Sequence, residues 1–130
     1  MMFPNDEREA RLLFNLTETL GPVRFARLVE RFGSAVAALR AGAMAWTEVE
    51  GFGAKAGDYF VELEKALPGL PIETANAARA GARVLCALDE EYPDAFRRLR
   101  DAPPVLYVWG ALTPVDTMGI ALVGSRRPST

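Results

Sequence analysis

The sequence predicts an α + α/β protein, with an all-helical front part over residues 1–68 and the incomplete beginning of an α/β fold over residues 69–130. Three observations support this prediction. Apolar residues recur at helical spacing through the front part. Short β-branched and aromatic runs, typical of strands, appear after residue 80. Between the two parts lies Pro68-Gly69-Leu70-Pro71, a composition typical of a linker.

The front part opens with a helix that we expect Asp6 to cap, because Glu9 stands three residues later as in a capping box. The leucines that recur at helical spacing behind this cap are Leu12, Leu13, Leu16 and Leu20. Gly21-Pro22 ends this helix and opens a second one, which runs to Gly33.

Three further helices complete the predicted bundle. Ser34 caps the third helix, a short helix surrounds Trp46 to Val49, and another runs from about Ala54 to Leu67. The residues that we expect to share the core include Leu13, Leu16, Phe25, Leu28, Phe32, Leu39, Trp46, Phe52 and Leu63.

The second part alternates helices and strands. Its predicted elements are a helix over 74–80, a strand over 83–88, a short helix over 92–100, and strands over 105–109 and 119–123. The last strand is apolar throughout, which is typical of burial on both faces, as in a parallel sheet. Because too few residues follow Val123 to build a covering helix, we expect the chain to be a fragment of a longer protein.

The composition excludes several classes of function. The chain has no histidine and one cysteine, Cys86, which rules out an internal disulfide, the usual zinc sites and His-dependent catalysis. We therefore expect no metal, no cofactor and no catalytic residue. An apolar run of about 18 residues is absent and the N-terminus is acidic, so we expect a cytoplasmic protein without a membrane span.

The first motif is a glycine-rich turn, Gly51-Phe52-Gly53-Ala54-Lys55, between two helical patterns. It resembles the Gly-apolar-Gly turn of helix-hairpin-helix proteins. Glycines let a backbone approach a phosphate closely, the new helix offers N–H groups, and Lys55 adds a positive charge. A plain tight turn with Phe52 in the core explains the same residues equally well. Gly51, Gly53 and Lys55 are therefore candidates for a contact to DNA or to a protein.

A second, weaker turn of this kind is Gly21-Pro22-Val23, in which Val23 stands where the second glycine is expected and hinders close backbone approach. The surroundings are acidic as well, since residues 1–70 carry eight Lys or Arg and ten Asp or Glu. Phosphate contacts need local positive charge. A protein-contact or scaffolding role is therefore favoured over strong DNA binding for the front part.

The most specific motif follows the last predicted strand, where Val123 runs into Gly124-Ser125-Arg126-Arg127. Ligands of doubly wound folds bind at the carboxyl ends of strands. Gly124 permits a sharp turn, the Ser125 hydroxyl can donate to a phosphate, and Arg126 can hold one with two donors. The motif is neither the Gly-x-Gly-x-x-Gly fingerprint nor a P-loop. An ordinary exposed turn with solvated arginines is the alternative.

The order of these motifs resembles the DprA/Smf family of bacterial DNA-processing proteins. That family has a Tyr-Pro pair, as in Tyr92-Pro93, and then Pro-Pro-x-Leu-Tyr/Phe-x-x-Gly, as over 103–110. It continues with Val-Gly-Ser/Thr-Arg, as over 123–126. The helical front, with Leu20-Gly21-Pro22 and the run 31–34, is similar to the family's small N-terminal domain. The resemblance spans nearly the whole chain and departs from the hairpin pattern at Val23.

The resemblance implies a SAM/helix-hairpin-helix-like domain over 1–68, followed by the truncated start of a Rossmann-like DNA-binding domain over 69–130. It implies single-stranded DNA binding and RecA loading in natural transformation and recombination, without catalysis. The DNA-binding loop would comprise Gly124, Ser125, Arg126 and Arg127. The full-length protein would be a homodimer, and its dimer and RecA surfaces would lie largely beyond residue 130.

Two other functions explain part of the sequence. A Rossmann-like hydrolase of the lysine-decarboxylase-like group would hold a nucleotide phosphate at Gly124, but its catalytic glutamate has no recognisable counterpart here. A helical protein-interaction module with a disordered tail leaves the strands over 83–88 and 105–109 unexplained. The formal net charge of -2 argues mildly against DNA binding unless the basic residues cluster in space.

Overall fold

The computed structural model describes residues 2–127 and 129. Its helices and strands, in chain order, are α1 (Glu7–Leu16), α2 (Gly21–Phe32), α3 (Ala35–Trp46), α4 (Ala56–Ala66), α5 (Leu70–Arg79), β1 (Arg83–Leu85), α6 (Asp94–Arg97) and β2 (Leu106–Val108). Short 3-10 turns lie at Gly53–Lys55, Leu67–Gly69 and Pro114–Met118. The first five helices pack into a bundle, and the two strands form a small sheet attached to it. None of the described helices is both long and apolar enough to cross a membrane.

The starts of α1 and α3 and the end of α2 lie where the sequence predicts them. Asp6 accepts a hydrogen bond from the main-chain N–H of Glu9 at 3.0 Å, and Ser34 accepts one from Ala37 at 3.0 Å. These caps satisfy N–H groups that have no partner within their own helix. Gly33 ends α2 with a φ of 92°, a left-handed conformation that glycine adopts without strain.

Glu7 joins the first helix to the start of the third. Its two carboxylate oxygens accept the main-chain N–H groups of Ala35 and Val36 at 2.9 and 3.0 Å. Arg11 donates to the same carboxylate at 2.9 Å. A negative charge is favoured at this point because the N-terminus of a helix carries a partial positive charge.

Trp46 lies at the centre of the bundle and is fully buried. Its ring contacts those of Phe14, Phe52 and Phe60, with centroid separations of 6.0, 5.5 and 5.1 Å. The residues predicted for the core that are buried are Leu13, Phe25, Leu28, Leu39, Trp46, Phe52 and Leu63. Leu16 and Phe32 are only partly buried and pack against this cluster. The predicted helical bundle is therefore confirmed, with two of its core residues at the margin.

Two helical predictions were wrong in detail. Helix α1 ends at Leu16, so Leu20 lies in the following turn, although it remains buried. The short helix expected around Trp46 to Val49 is absent, because Trp46 is the last residue of α3 and turns follow it. Gly42, with a φ of 81°, interrupts α3. The bend lets the Trp46 indole N–H donate to the carbonyl of Ala38 at 2.8 Å, which fixes the ring in the core.

The predicted linker is helical rather than extended. Residues Leu67–Gly69 form a 3-10 turn, and α5 begins at Leu70 with Pro71 in its first turn. Proline is tolerated there because the first N–H groups of a helix have no intrahelical partner. Leu70, Cys86 and Val105 belong to the same buried cluster as the bundle residues. The division of the chain into domains at residue 68 stays a prediction.

The strands pair with each other in antiparallel register, with Arg83 opposite Val108 and Leu85 opposite Leu106. Both are shorter than the predicted runs over 83–88 and 105–109. The hydroxyl of Tyr107 donates to Glu73 on α5 at 2.7 Å, and burial together with this carboxylate raises the tyrosine pKa. This bond and the shared core attach the sheet to the bundle.

The predicted third strand over 119–123 was wrong. These residues have no regular secondary structure, and the side chains of Ile120, Leu122 and Val123 are 91–97% exposed. A strand that is apolar on both faces is stable only between covering helices and beside other strands. The described residues supply neither at this place. A Rossmann-like sheet is therefore not formed by the part of the chain that the structure describes.

Candidate nucleic-acid interface

The loop Gly124–Arg127 lies in an exposed segment, and all four of its residues are exposed. The main-chain N–H of Arg127 donates to the hydroxyl oxygen of Ser125 at 3.1 Å, which makes a local turn. The Ser125 hydroxyl hydrogen can still donate to a ligand. Neither Arg126 nor Arg127 forms an ion pair with a described residue. The loop therefore presents two cations to solvent, but it does not follow a strand as the sequence predicted.

Glu91 fixes the segment from which this loop extends. Its carboxylate pairs with the guanidinium of Arg83 through both oxygens, one of them at 2.7 Å, and accepts the N–H of Leu112 at 3.1 Å. Arg83 also donates to the carbonyl of Gly110 at 2.6 Å. Hydrogen bonds from Arg83, and then from Leu112, lower the pKa of Glu91 to about 2. The chain thus leaves β2 along a fixed path as far as Leu112.

The glycine-rich turn at Gly51–Lys55 has the expected backbone geometry. Gly51 and Gly53 have φ angles of 92° and 51°, in the left-handed region that favours glycine. Phe52 between them is buried and meets the rings of Trp46 and Tyr59 at 5.5 and 5.6 Å. Lys55 is exposed and lies in a 3-10 turn immediately before α4, rather than just inside that helix. The turn therefore combines a core anchor with one exposed cation.

Two arginines of α2 bind main-chain carbonyls at this turn and at the residue before it, and neither was predicted from the sequence. Arg24 donates to the carbonyl of Gly51 at 3.0 Å, and Arg27 donates to that of Glu50 at 3.3 Å. A Cβ atom at Gly51 would lie 2.5 Å from Nη1 of Arg27. The Arg24 guanidinium also stacks over Tyr59, 4.9 Å from the ring centroid. The spacing of the two arginines by three residues on one helix was the available signal.

The hydrogen bonds show what this turn does. Each guanidinium group donates one hydrogen bond to a main-chain carbonyl, Arg24 to Gly51 and Arg27 to Glu50, and these bonds tie the turn to α2. Arg27 lies near the Glu50 carboxylate as well, at 3.8 Å. No hydrogen bond or ion pair among residues 2–127 and 129 joins this turn to the loop Gly124–Arg127. The structure therefore does not bring the two predicted contact sites together.

The weaker turn at Gly21-Pro22-Val23 joins α1 to α2. Gly21 has a φ of 74°, Pro22 lies in the first turn of α2, and Val23 is 37% exposed. The Val23 side chain projects at the point where a second glycine would leave the backbone open. The Val23 side chain therefore hinders close approach of a ligand to this turn, as the sequence predicts.

Two family models match the chain. One, described as DNA recombination-mediator protein A, matches residues 83–130 and includes the loop Gly124–Arg127. The other, described as the DprA-like N-terminal HHH domain, matches residues 5–41. That second range includes the turn at Gly21-Pro22-Val23 but not the turn at Gly51–Lys55. The two matches lie in the chain order that the motifs indicated.

A curated relative supports the same assignment. Protein Smf of Synechocystis sp. is 28% identical over 129 residues, which are 96% of this chain and 32% of that protein. The chain therefore spans about a third of the length of this relative. No solved structure matches the chain significantly. The two family models and this relative agree that the chain is similar to the N-terminal portion of proteins of the DprA/Smf family.

Proposed function

We propose that this chain is part of a cytoplasmic protein that binds single-stranded DNA and loads RecA onto it during natural transformation and recombination. Similarity to the DprA/Smf family supports a role in DNA processing, and the proposal adds the strand type and the partner. The full-length protein is a homodimer in this proposal. The chain acts by binding and positioning DNA, without catalysis.

The observation that carries the proposal is the exposed pair Arg126 and Arg127 within the residues that match the recombination-mediator model. Both guanidinium groups face solvent, and the nearest acidic residue in the sequence is Asp116. The Asp116 carboxylate is already bound to the N–H of Thr113 at 2.5 Å. Local positive charge of this kind suits phosphate oxygens although the net charge of the chain is -2.

The contact we propose is to the DNA backbone. Arg126 offers a planar fork of donors that fits two phosphate oxygens, Arg127 adds a second cation, and the Ser125 hydroxyl adds a neutral donor. Gly124 has no side-chain atom to obstruct a phosphate, and a Cβ placed there would meet no atom within 4 Å. Phosphate contacts position a strand without reading its sequence.

The helical bundle has a different role in this proposal. Arg24 and Arg27 are half-buried and each donates one hydrogen bond to a main-chain carbonyl at or next to the turn Gly51–Lys55, whereas Lys55 is the exposed cation of this turn. This arrangement supports a scaffold or a protein contact rather than a strong DNA clamp. Gly51 and Gly53 then serve the turn, and Lys55 is the residue available to a partner.

The test is a titration of fluorescent single-stranded oligonucleotides with the full-length protein and its Arg126→Ala variant, at several salt concentrations. We expect weaker binding by the variant and a smaller dependence of affinity on salt. Arg40→Ala, which removes an exposed arginine from the bundle, is the matched control and should bind like the unchanged protein. Equal binding by all three proteins would refute the assignment of the loop.

A further inference from the structure

Trp109, which directly follows β2, is the unusual aromatic residue of this chain. Its side chain is 66% exposed, whereas Trp46, the other tryptophan, is fully buried. The indole N–H of Trp109 donates to the carbonyl of Ala80 at 2.8 Å. A large apolar ring is thus held in one orientation while most of its surface stays in water. Core packing does not account for such a position, since burial of the ring would be favourable.

The residues beside the ring leave room for a flat ligand. Trp109 is followed in the chain by Gly110, and Ala80, which anchors the indole, is followed by Gly81. Gly110 and Gly81 have φ angles of 91° and 73°, so both turns depend on residues without side chains. A planar group can therefore approach the ring over small neighbours.

Two cations lie along the same short stretch of structure. Arg79 precedes the anchoring residue in sequence and is exposed. Arg83 donates to the carbonyl of Gly110 at 2.6 Å, and its side chain is 43% exposed. Glu91 neutralises Arg83, whereas Arg79 donates to the side-chain oxygen of Asn76 and forms no ion pair with a described residue. The stretch thus combines an exposed aromatic ring with an exposed cation one residue before the ring's anchor.

We propose that Trp109 is a stacking platform for an unpaired base of a single-stranded nucleic acid, with Arg79 placed for the adjoining phosphate. Bases stack on exposed aromatic rings with little regard to sequence, because every base has a π-face. The proposal rests on the proposed function and deepens it, since the loop Gly124–Arg127 binds only backbone. In this arrangement Trp109 would bind a base, whereas the loop Gly124–Arg127 would bind phosphates.

A protein partner is the alternative occupant of this surface. Tryptophans that dominate protein interfaces lie within well-packed patches whose surrounding residues exclude water. The residues flanking Trp109 and its anchor are the half-buried Val108, two glycines and the exposed Arg79, and they offer little exposed apolar surface to such a patch. A nucleic acid, which pairs a flat apolar face with a phosphate, matches this chemistry better.

The experiment uses the tryptophan fluorescence of this chain, because Trp46 is buried and only Trp109 is open to a ligand. An oligothymidylate should quench the Trp109 emission at low salt, and an abasic strand of the same length and charge should not. Trp109→Ala should weaken oligothymidylate binding by about five- to a hundredfold, and Trp109→Phe should retain most of it. Leu88→Ala, at a side chain of similar exposure (68%), is the control and should change nothing.

The outcomes separate this platform from the proposed function. Absence of quenching, or equal quenching by the abasic strand, would overturn the platform. Unchanged anisotropy titrations with Trp109→Ala, alongside weaker binding by Arg126→Ala, would overturn it and leave the backbone-binding loop standing. Weaker binding by Trp109→Ala alone would support the platform and contradict the loop. A Trp109→Ala variant that loses self-association in light scattering, with DNA binding intact, would assign the surface to a protein contact instead.

Discussion

Arg8 on α1 and Asp89 after β1 form a bidentate ion pair, with N–O distances of 2.5 and 2.6 Å. The same guanidinium donates to the carbonyl of Val84 at 2.7 Å, and Asp89 accepts the N–H of Cys86 at 2.7 Å. One carboxylate thus closes the turn after β1 and ties it to the first helix. The small sheet is thereby held against the bundle by charge as well as by the shared core.

The first prediction concerns the acid stability of this junction. The Arg8 guanidinium lowers the pKa of Asp89 from 3.8 to about 2. Because the folded-state pKa lies below the unfolded one, the stabilisation is complete above pH 4 and is lost as the pH falls from about 4 to 2. Asp89→Asn should lower the free energy of unfolding at pH 7 by about 1–2 kcal/mol. Urea titrations between pH 7 and pH 2 should show this difference shrinking in acid.

The control for that measurement is Asp94→Asn. Asp94 pairs with Arg97 at 3.3 Å, but its side chain is 90% exposed. Asp94→Asn should therefore lower the free energy of unfolding by less than about 0.5 kcal/mol. If the two variants lose equal stability, or if the Asp89→Asn difference persists unchanged at pH 2, the junction is not an ionic one.

The second prediction concerns the turn at Gly51. Gly51→Ala places a Cβ atom 2.5 Å from Nη1 of Arg27, in a residue whose φ is 92°. We expect a loss of about 1–3 kcal/mol in the free energy of unfolding, because the left-handed backbone is strained for alanine and the arginine is displaced. Gly57→Ala is the matched control, since its Cβ would meet nothing within 4 Å. That control lies in α4 and should raise stability by about 0.5–1 kcal/mol. Thermal unfolding of both variants decides the matter, and equal effects would show that Gly51 is replaceable.

Local signals in the sequence predicted the bundle well. The caps at Asp6 and Ser34 and the glycine at Gly33 depend on main-chain chemistry within a few residues, which a sequence displays directly. The break at Gly42 was missed because an isolated glycine inside an apolar helical run has several explanations. The structure shows that Gly42 bends α3, so that the Trp46 indole can donate to the carbonyl of Ala38.

Long-range relations explain the remaining errors. Pro68 and Pro71 resemble linker residues, but the burial of Leu70 makes their segment part of the packed structure. The run over 119–123 has strand composition, yet strand formation requires neighbouring strands that the described residues do not supply. The roles of Arg24 and Arg27 were hidden as well, because their spacing places them on one face of α2 but does not show that they bind carbonyls 23–27 residues away.

The third prediction concerns the exposed apolar run of Ile120, Leu122 and Val123. Unpaired strand-forming segments tend to pair with other chains, so this chain should associate as its concentration rises. Leu122→Lys should reduce that association, whereas Met44→Lys, at an 85% exposed site on α3, should not. Light scattering over a range of concentrations measures the effect, and hydrogen exchange should show fast amides over 119–123. A monomer at all concentrations with protected amides in this run would contradict the prediction.

The last prediction concerns the strength and specificity of the loop Gly124–Arg127 in the full-length protein. Arg126→Ala should weaken single-stranded DNA binding by about 1–3 kcal/mol, the usual range for a charge-assisted hydrogen bond. Arg126→Lys should recover part of this loss, because lysine keeps the charge but offers a point donor in place of a planar fork. The slope of log affinity against log salt should shrink by about 0.7, which corresponds to one phosphate on a single strand.

Base composition provides the decisive comparison for that loop. A backbone contact carries no sequence information, so Arg126→Ala should lose the same affinity for oligothymidylate, oligodeoxycytidylate and mixed strands. A loss confined to one base would place the guanidinium against a base edge instead.

The 130-residue chain should bind much more weakly than the full-length protein, since its residues 1–70 carry a net negative charge and the loop contributes few contacts. Equal affinity of the two proteins would mean that the described residues already contain the whole DNA site.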